Sequence, residues 1–413
     1  MPAPTATSTT TDQRRTPAAG RFTGWPGAAL VVVAFFATMI GTTLPTPLYP
    51  AYAARLGFGE LVTTVVFATY AVGVVVGLLL FGHWSDQLGR RPMLLGGLAL
   101  SALSALCFLL PTSLAWIFAG RAVSGLSAGI FTGTATAAVV DLAPRESRAR
   151  ASLVAALVNM AGLGSGPLLA GVLAQLAPAP TRLVFVVDLV LVAVGTAAVL
   201  AVREPVRRSS QLHLAPRRLH VPAEARGVFV RAAIAGFAGF AVMGLFTAVS
   251  PAFLGDLLHH HSPALTGVVV AVLFAGSVLG QLVSTRLELD RALLVGCVLL
   301  VVGMVLVGTS LPTASLPLMV TGALVAGLGQ GATFRAGLGG VQAATPEEQR
   351  GEVTSTFFVA LYVGISIPVI GEGALAGAAG LVAAGIVFSA LVAALAVAAL
   401  VLLLRSRESA DRG

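Results

Sequence analysis

The sequence predicts an all-α integral membrane protein built from two six-helix bundles related by a pseudo-two-fold axis. Of its 413 residues, 57% are hydrophobic and only 10% are charged, which is more apolar surface than a soluble core can bury. Apolar runs of about 20 residues, long enough to cross roughly 30 Å of hydrocarbon, recur along nearly the whole chain. The runs are continuously apolar rather than alternating, so they favour helices over a membrane barrel.

Twelve membrane spans are predicted, six on each side of a polar linker. The linker, residues 203–226, is rich in Arg, His, Pro and Ser and has no apolar period. It separates a bundle over 27–202 from a bundle over 227–404, with a disordered cytoplasmic tail at 1–26 and a cytoplasmic tail at 405–413. The predicted spans are 27–49, 61–82, 92–110, 113–140, 151–176, 182–202, 228–254, 264–284, 292–311, 315–340, 352–374 and 378–404.

The arginines predict the orientation of the chain, since all 25 basic residues are arginine. With the N-terminus placed inside, the arginines of the loops and tails fall on the cytoplasmic side except Arg55 and Arg182. The positive-inside rule therefore predicts a multi-pass protein of the inner (cytoplasmic) cell membrane with both termini in the cytoplasm. The net charge of +8 is explained by arginines near anionic lipid headgroups, so the bilayer is an expected partner and nucleic acid is not.

An internal repeat relates the two halves. Six residues of the fourth and fifth spans recur at one constant offset in the tenth and eleventh spans. Parallel repeats of this kind predict a substrate site near the membrane midplane, between halves that rock to give alternating access. The matched positions are Gly125, Gly129, Pro144, Arg148, Gly162 and Gly171 with Gly327, Gly331, Pro346, Arg350, Gly364 and Gly373.

The loop after the second span carries a glycine- and charge-rich motif, Gly-His-Trp-Ser-Asp-Gln-Leu-Gly-Arg-Arg-Pro. Gly82 allows close backbone approach, Asp86 can pair with arginines or helix N-termini, and Gly89 permits a tight turn. Arg90 and Arg91 anchor the cytoplasmic face. An ordinary charged turn is the alternative interpretation.

This loop resembles the motif that major facilitator transporters carry between helices two and three. The resemblance implies the major facilitator fold over 27–404 and a cytoplasmic gate that the aspartate helps to latch. The corresponding loop of the second half, residues 286–291, lacks the glycine, so a second latch is not expected there.

The fourth span contains Arg121 followed by Gly125, Gly129 and Gly133 at a four-residue period. The glycines offer a smooth strip for helix contact. An arginine inside a span costs about 2.5–3.5 kcal/mol on insertion scales, so Arg121 is expected to face a water-filled cavity or a partner. Snorkelling to the outer interface is the alternative. The arrangement resembles the family's fourth-helix motif, whose arginine is implicated in proton-coupled transport.

The fifth span contains Gly162, Gly166, Pro167 and Gly171. The proline removes a backbone hydrogen-bond donor, and the glycines have no side chain to keep a neighbouring helix away. The segment should therefore bend and pack closely against a neighbour. Generic helix packing is the alternative. The order resembles the fifth-helix motif of drug:proton antiporters, with Ala170 in place of the first glycine of the final pair. This resemblance is the feature that favours export.

Proton coupling requires a buried carboxyl that can load and release a proton. Asp188 and Glu372 are the candidates, together with Arg121, and the proton gradient is the expected energy source. Both carboxyls lie toward the outer side, so an interfacial, permanently ionised carboxylate is the alternative for each. Arg335 lies deeper and could hold an anionic substrate or neutralise a carboxylate.

The family resemblance implies that the first, fourth, seventh and tenth helices border the central path, with contributions from flanking helices. Flexible thioether and aromatic side chains there suit small amphiphilic substrates of variable shape, although the same residues are ordinary in a core. The candidate cavity residues are Thr42, Tyr70, Asn159, Met243, Gln330, Phe334, Arg335 and Tyr362.

An enzyme is not predicted. The segment from Gly125 to Gly129 matches the G-x-S-x-G hydrolase elbow, but it lies inside an apolar helix rather than at a strand-to-helix turn. Residues 259–261 are three adjacent histidines without metal-site spacing, and Cys107 and Cys297 both lie within spans, so neither a metal nor another cofactor is expected.

The sequence therefore predicts a transporter, functional as a monomer, that exports a small drug-like or metabolite compound in exchange for protons. Uptake of a nutrient such as a sugar or an organic acid, by symport or facilitation, is the alternative.

Overall fold

The computed structural model describes residues 21–82, 84–110, 113–177, 179–206 and 219–410. Within these residues, twelve helices are long and apolar enough to cross a membrane, which confirms the predicted all-α membrane fold. They are α1 (Gly24–Thr43), α2 (Glu60–Phe81), α3 (Arg90–Leu109), α4 (Leu114–Leu142), α5 (Arg148–Leu176), α6 (Pro180–Ala201), α7 (Arg226–Ala248), α8 (Pro263–Ser284), α9 (Leu289–Ser310), α10 (Leu316–Ala343), α11 (Arg350–Ala379) and α12 (Leu381–Ala410).

Short helical segments join the long helices. A five-residue helix lies between α2 and α3, and single 3₁₀ turns precede α5, α7 and α11. A 3₁₀ turn and an eight-residue helix follow α1, while a short helix and a π-helical turn follow α7. In chain order these segments are Thr46–Leu48, Tyr49–Leu56, Trp84–Leu88, Arg145–Ser147, Ala223–Ala225, Ser250–Ala252, Phe253–Leu257 and Glu347–Gln349.

Several helix boundaries differ from the sequence prediction. Regular helix stops at Thr43 in α1 and at Ala248 in α7, earlier than expected, because Pro45, Pro47 and Pro251 follow and cannot donate a helical hydrogen bond. Helix α12 instead continues to Ala410, past the predicted end at 404. The predicted tail 1–26 and linker 203–226 lie partly outside the described residues.

The helices form two bundles, α1–α6 and α7–α12. In the first, α1 packs against α4, α5 and α6, and in the second, α7 packs against α10, α11 and α12. Within the described residues, the most extensive contacts between the bundles are those of α2 with α11 and of α5 with α8. These pairs are equivalent under the internal repeat, as the pseudo-two-fold relation requires.

The first bundle is tied together at its ends. Phe22, just before α1, forms a parallel bridge with Val202, just after α6. The N–H of Arg21 donates to the carbonyl of Ala201 at 2.9 Å, and the N–H of Arg203 donates to the carbonyl of Phe22 at 3.0 Å. We call this pairing the end strap.

The molecule has two faces at which the helices begin and end. We call the face where α1 begins and α6 and α12 end the terminal face, and the other the opposite face. The bundles meet closely at the opposite face. Near the opposite face, a side chain at Gly171 of α5 would collide with the backbone of Pro263 and Ala264, and one at Gly267 of α8 would collide with the backbone of Pro167. The pathway between the bundles is therefore closed at the opposite face.

Candidate functional site

A cavity of about 420 Å³ opens between the bundles at the terminal face. Helices α2, α4 and α5 line one side, and α10 and α11 line the other, so both bundles form its wall. Charged groups ring its mouth, while its deeper wall is mostly apolar or hydroxylated. The charged lining residues are Asp86, Arg90, Asp141 and Arg350, and the deepest lining residues include Asn159, Phe334 and Phe358.

A second, smaller pocket of about 30 Å³ continues this path toward the middle of the molecule. Asn159 and Phe358 line both spaces. The side chains around the small pocket are aromatic, aliphatic, thioether, hydroxyl or amide groups, and none of them is charged at neutral pH. Its wall consists of Thr43, Phe67, Tyr70, Asn159, Met160, Leu163, Phe240, Met243, Thr247, Phe274, Phe358, Tyr362 and Ile365.

Most of the predicted cavity residues meet in these two spaces. Tyr70, Asn159, Met243 and Tyr362 line the small pocket, and Phe334 lines the large cavity beside Asn159. The side chains of Tyr70 and Tyr362 interact across the two bundles. This interaction joins α2 to α11.

Three predicted cavity residues line neither space. The Oε1 of Gln330 accepts a 2.5 Å hydrogen bond from the hydroxyl of Ser277, inside the second bundle. A guanidinium nitrogen of Arg335 donates to the carbonyl of Ser284 at 3.0 Å, where α10 faces α8. Thr42 donates its hydroxyl to the carbonyl of Met39 at 2.7 Å. These hydrogen bonds all lie within their own bundles, and the Nε2 of Gln330 has no hydrogen-bond partner among the described residues.

Arg121 is buried inside the first bundle, with 1% of the residue exposed. Its guanidinium donates to the carbonyl of Thr42 at 2.5 Å and, from two nitrogens, to the hydroxyl of Tyr49. The rings of Tyr49, Phe67 and Tyr70 lie 5.3, 5.8 and 5.6 Å from its central carbon, within cation–π range. Arg121 therefore has partners inside the bundle, rather than snorkelling to the interface.

Asp188 is also buried, with 3% of the residue exposed. It lies in α6 against Gly41 of α1, where the carboxyl group occupies the space that a side chain at position 41 would need. Its Oδ1 has no hydrogen-bond partner among the described residues. The interfacial position considered from the sequence is not the one that the structure shows.

Glu372 is equally buried, at 3% exposure, but it lies between the bundles. The next residue, Gly373, packs directly on the side chain of Thr64 in α2. Neither carboxyl oxygen has a hydrogen-bond partner in the described part of the chain. Of the three candidates for proton coupling, Glu372 is the one that lies where α2 meets α11.

The charged loop between α2 and α3 forms a network around Arg90. Its guanidinium contacts Asp86 at 2.6 Å, Asp141 of α4 at 2.9 Å and the hydroxyl of Ser85 at 2.6 Å. Gly89 has a φ of +103°, a backbone conformation that favours glycine. In this structure Asp86 pairs within its own bundle.

Glu204 completes the network, and sequence reasoning missed it. Its carboxylate accepts the N–H groups of Arg90 and Arg91 at 2.8 and 3.0 Å, so it caps the N-terminus of α3, where a negative charge is favourable. Asp141 was missed as well. Neither acid has a local signal, because each is more than fifty positions from Arg90 in the chain.

The residues of the fifth-span motif lie on two helix contacts. A side chain at Gly162 or Gly166 would collide with α1, at Met39 or at the carbonyl of Ile40. Pro167 and Gly171 instead face α8. Helix α5 is thus packed between its own bundle and the other one.

Curated relatives with similar sequences include named exporters and resistance proteins. The cephamycin export protein CmcT of Amycolatopsis lactamdurans is 34% identical over 148 residues, which are 35% of this chain and 30% of the relative. The class E tetracycline resistance protein of Escherichia coli is 30% identical over 36% of each chain. Multidrug resistance protein 2 of Bacillus subtilis is 27% identical over 33% of this chain and 35% of the relative. The chain thus matches about a third of the length of these relatives.

Solved structures share the fold over nearly the full length. Two crystal structures of a POT family transporter, one with a thioalcohol-conjugated peptide and one with 5-aminolevulinic acid, each have a TM-score of 0.73. They are 13% and 14% identical to this chain, of which they cover 92% and 94%, and the alignments span 96% and 98% of those proteins. At this identity the likeness concerns the fold alone.

The family comparison agrees with the architecture. The model of the Major Facilitator Superfamily matches residues 31–367 and 260–413, which together include both bundles and the linker. Twelve spans, two repeat-related bundles and a cavity between them form the arrangement in which transporters of this kind place their substrates. The chain therefore belongs to the major facilitator superfamily and is a multi-pass membrane transporter rather than an enzyme.

Proposed function

We propose that this protein exports a small drug-like or metabolite compound in exchange for protons, by alternating access. The observation that carries the proposal is the cavity of about 420 Å³ between the bundles, open at the terminal face, with the opposite face closed by helix contacts. A cavity reached from one side only is one of the two states that alternating access requires.

Export is favoured by the relatives and by the fifth-span motif. Three partial relatives carry names that refer to export or drug resistance. The glycines and proline of the motif lie where α5 contacts both α1 and α8, a position suited to controlling closure of the opposite face.

The direction of export depends on which face meets the cytoplasm. Helix ends at the terminal face carry many arginines, among them Arg90, Arg91, Arg145 and Arg350, whereas Arg55 and Arg182 lie at the opposite face. The positive-inside rule places the terminal face in the cytoplasm. The cavity then loads from inside the cell.

Proton coupling rests on the buried candidates. Asp188 and Glu372 are buried carboxyl groups inside membrane-spanning helices, and each has at least one oxygen without a hydrogen-bond partner in the part of the chain that the structure describes. Proton coupling needs a carboxyl inside the span that can load and release a proton during the cycle. Arg121 places a positive charge beside Tyr70, which lines the small pocket.

The substrate is inferred from the small pocket. Its wall offers aromatic rings, Met160 and Met243, and few polar groups, which suits an apolar or aromatic body with a small number of hydrogen-bonding groups. The pocket presents no charge that would select a strongly ionic sugar acid or nucleotide.

Transport in sealed inside-out vesicles tests the proposal. A ligand is first identified by thermal shift of the purified protein against a panel of antibiotics and metabolites. With an acidic lumen, antiport export should accumulate this ligand inside the vesicles while the lumen becomes more alkaline. An uncoupler should abolish accumulation. Proton-driven uptake would instead empty preloaded vesicles, and flux independent of the gradient would exclude coupling.

A further inference from the structure

A further cavity lies between the bundles at the opposite face, with a volume of about 180 Å³. Both bundles form its wall. The first contributes the segment after α1 and the start of α2, and the second contributes the end of α7, the turn after it and the start of α8. We call this cavity the opposite-face pocket. It is smaller than the pockets of roughly 300–1,000 Å³ that hold drug-sized ligands, so it fits a molecule of fragment size.

Two acids, one from each bundle, line the opposite-face pocket. Glu60 is the first residue of α2, and Asp256 lies in the π-helical turn Phe253–Leu257. Neither acid forms an ion pair within the described ranges. Arg55 and Arg182, which lie at the same face, do not line the pocket. The two acids are therefore free to pair with a positive charge on a bound molecule.

The balance of charge around this pocket is negative. The N-termini of α2 and α8 contribute about half a positive charge each, against one full negative charge on each acid. His260 and His261 also line the pocket, and they add positive charge only when they are protonated. At a pH where ordinary imidazoles are neutral, the wall carries about one net negative charge, which attracts a cation.

Two buried hydroxyls add hydrogen-bond acceptors to the wall. Thr63 of α2 and Thr266 of α8 line the pocket and are 4% and 5% exposed. In the part of the chain that the structure describes, their hydroxyls contact only the carbonyls four residues earlier, at 3.4 and 3.5 Å. An ordinary O–H···O hydrogen bond is shorter, at about 2.5–3.0 Å. Both oxygens can therefore accept a hydrogen bond from a bound molecule.

The rest of the wall is mostly apolar and made of small side chains. Prolines and alanines of both bundles contribute to it, among them Pro47, Ala51, Pro251 and Ala252. Such a wall suits a compact apolar body. A primary ammonium has three hydrogen-bond donors and a full positive charge, so it matches the acids and the hydroxyls together.

We propose that the opposite-face pocket binds a small organic cation, a primary ammonium on a compact apolar body, and that binding there favours closure of the opposite face. Separation of the bundles would divide the wall, so the site is complete only while this face is closed. A ligand that binds one state shifts the population toward it. The inference goes beyond the proposed function, since it requires neither export nor proton coupling.

Protection of a cysteine from labelling tests the site. Ala51 and Ala54 are exposed on the same short helix, but only Ala51 lines the pocket. Each is replaced by cysteine after the buried Cys107 and Cys297 are changed to alanine. Labelling by a membrane-impermeant methanethiosulfonate is then timed in lipid nanodiscs at pH 8, with benzylamine or with benzyl alcohol, its uncharged counterpart.

We expect benzylamine to protect position 51 and not position 54. At about ten times its dissociation constant it should slow labelling at position 51 about tenfold, because only the unliganded protein reacts. Benzyl alcohol should protect much less, because it lacks the positive charge. Equal protection by the two compounds, or equal protection of the two positions, would overturn the assignment.

Two variants identify the acids. Glu60→Gln and Asp256→Asn should each raise the benzylamine concentration for half protection about tenfold, the loss expected for one charge-assisted hydrogen bond. Glu146→Gln, exposed at the terminal face, is the matched control and should behave as the parent. An unchanged concentration in either folded acid variant excludes that acid, and an unchanged concentration in both overturns the proposal. If one variant does not fold, the other decides.

The link to closure is measured with spin labels on cysteines that replace Leu176 of α5 and Ala378 of α11, both exposed near the opposite face. Benzylamine should reduce the long-distance population seen by electron–electron resonance, and an increase would reject the link to closure. None of these measurements depends on transport. The pocket can thus be confirmed while vesicle flux independent of the proton gradient rejects antiport, and the reverse combination would reject the pocket alone.

Discussion

Arg121 joins three parts of the first bundle through one guanidinium. It extends from α4 to the carbonyl of Thr42 in α1, to the hydroxyl of Tyr49 in the helix that follows, and to the rings of α2. Removing it leaves a buried carbonyl and a buried hydroxyl without their donor. Such groups are costly to leave unpaired.

Arg121→Ala is therefore expected to destabilise the protein by about 2–4 kcal/mol, from lost hydrogen bonds and an unfilled cavity. Tyr49→Phe, which removes only the accepting hydroxyl, should cost less. Thermal unfolding of the purified protein in detergent measures both changes. Arg226→Ala, at an exposed position at the start of α7, is the control, and equal melting of Arg121→Ala and the control would contradict the prediction.

The environment of single residues was the hardest property to predict. Asp188 and Glu372 could be identified as unusual because they interrupt apolar runs, but their burial depends on which helices pack over them. Gln330 and Arg335 lie in the predicted span, yet they face other helices of their own bundle, since a span's sequence does not say which side meets the pathway. Glu204 contacts Arg90 only because α6 ends beside the start of α3.

Helices were predictable because the bilayer imposes their length. All twelve are present in the described residues, and the boundary differences in α1 and α7 follow from prolines visible in the sequence. The pairing of α5 with α8 was not evident. It depends on Gly171 and Gly267 facing each other's backbones, and both glycines could equally have faced their own bundles.

Gly171→Val tests the importance of this pairing. A valine side chain would collide with the backbone of Pro263 and Ala264, so α5 and α8 should separate near the opposite face. Met243 lines the small pocket. We expect a cysteine that replaces Met243 to become more reactive toward a membrane-impermeant thiol reagent supplied from the opposite face. Gly96→Val, in α3 with open space at this position, should leave reactivity unchanged. Equal reactivity in both variants would show that this contact does not close the pathway.

The two bundles as a whole were predictable from the constant offset of the repeat. Equivalent helix pairs, α2 with α11 and α5 with α8, connect them, so a tilt about an axis between these pairs can open one face as it closes the other. The volume and shape of the cavity were not predictable, because they depend on the angle between the bundles.

The orientation of the whole chain gives a third prediction. Single cysteines replacing Arg55 or His260, at the opposite face, should react in intact cells with an impermeant maleimide, whereas one replacing Glu146, at the terminal face, should react only after the membrane is opened. The arginine distribution is the physical reason. The reverse labelling pattern would invert the proposed direction of transport.

The end strap has a consequence for biosynthesis. Because the segment before α1 hydrogen-bonds to the segment after α6, the N-terminal half contains everything needed to fasten its own first and last helices. We expect that half to join its ends while the ribosome is still translating the other half, before α2 and α5 pack against α11 and α8.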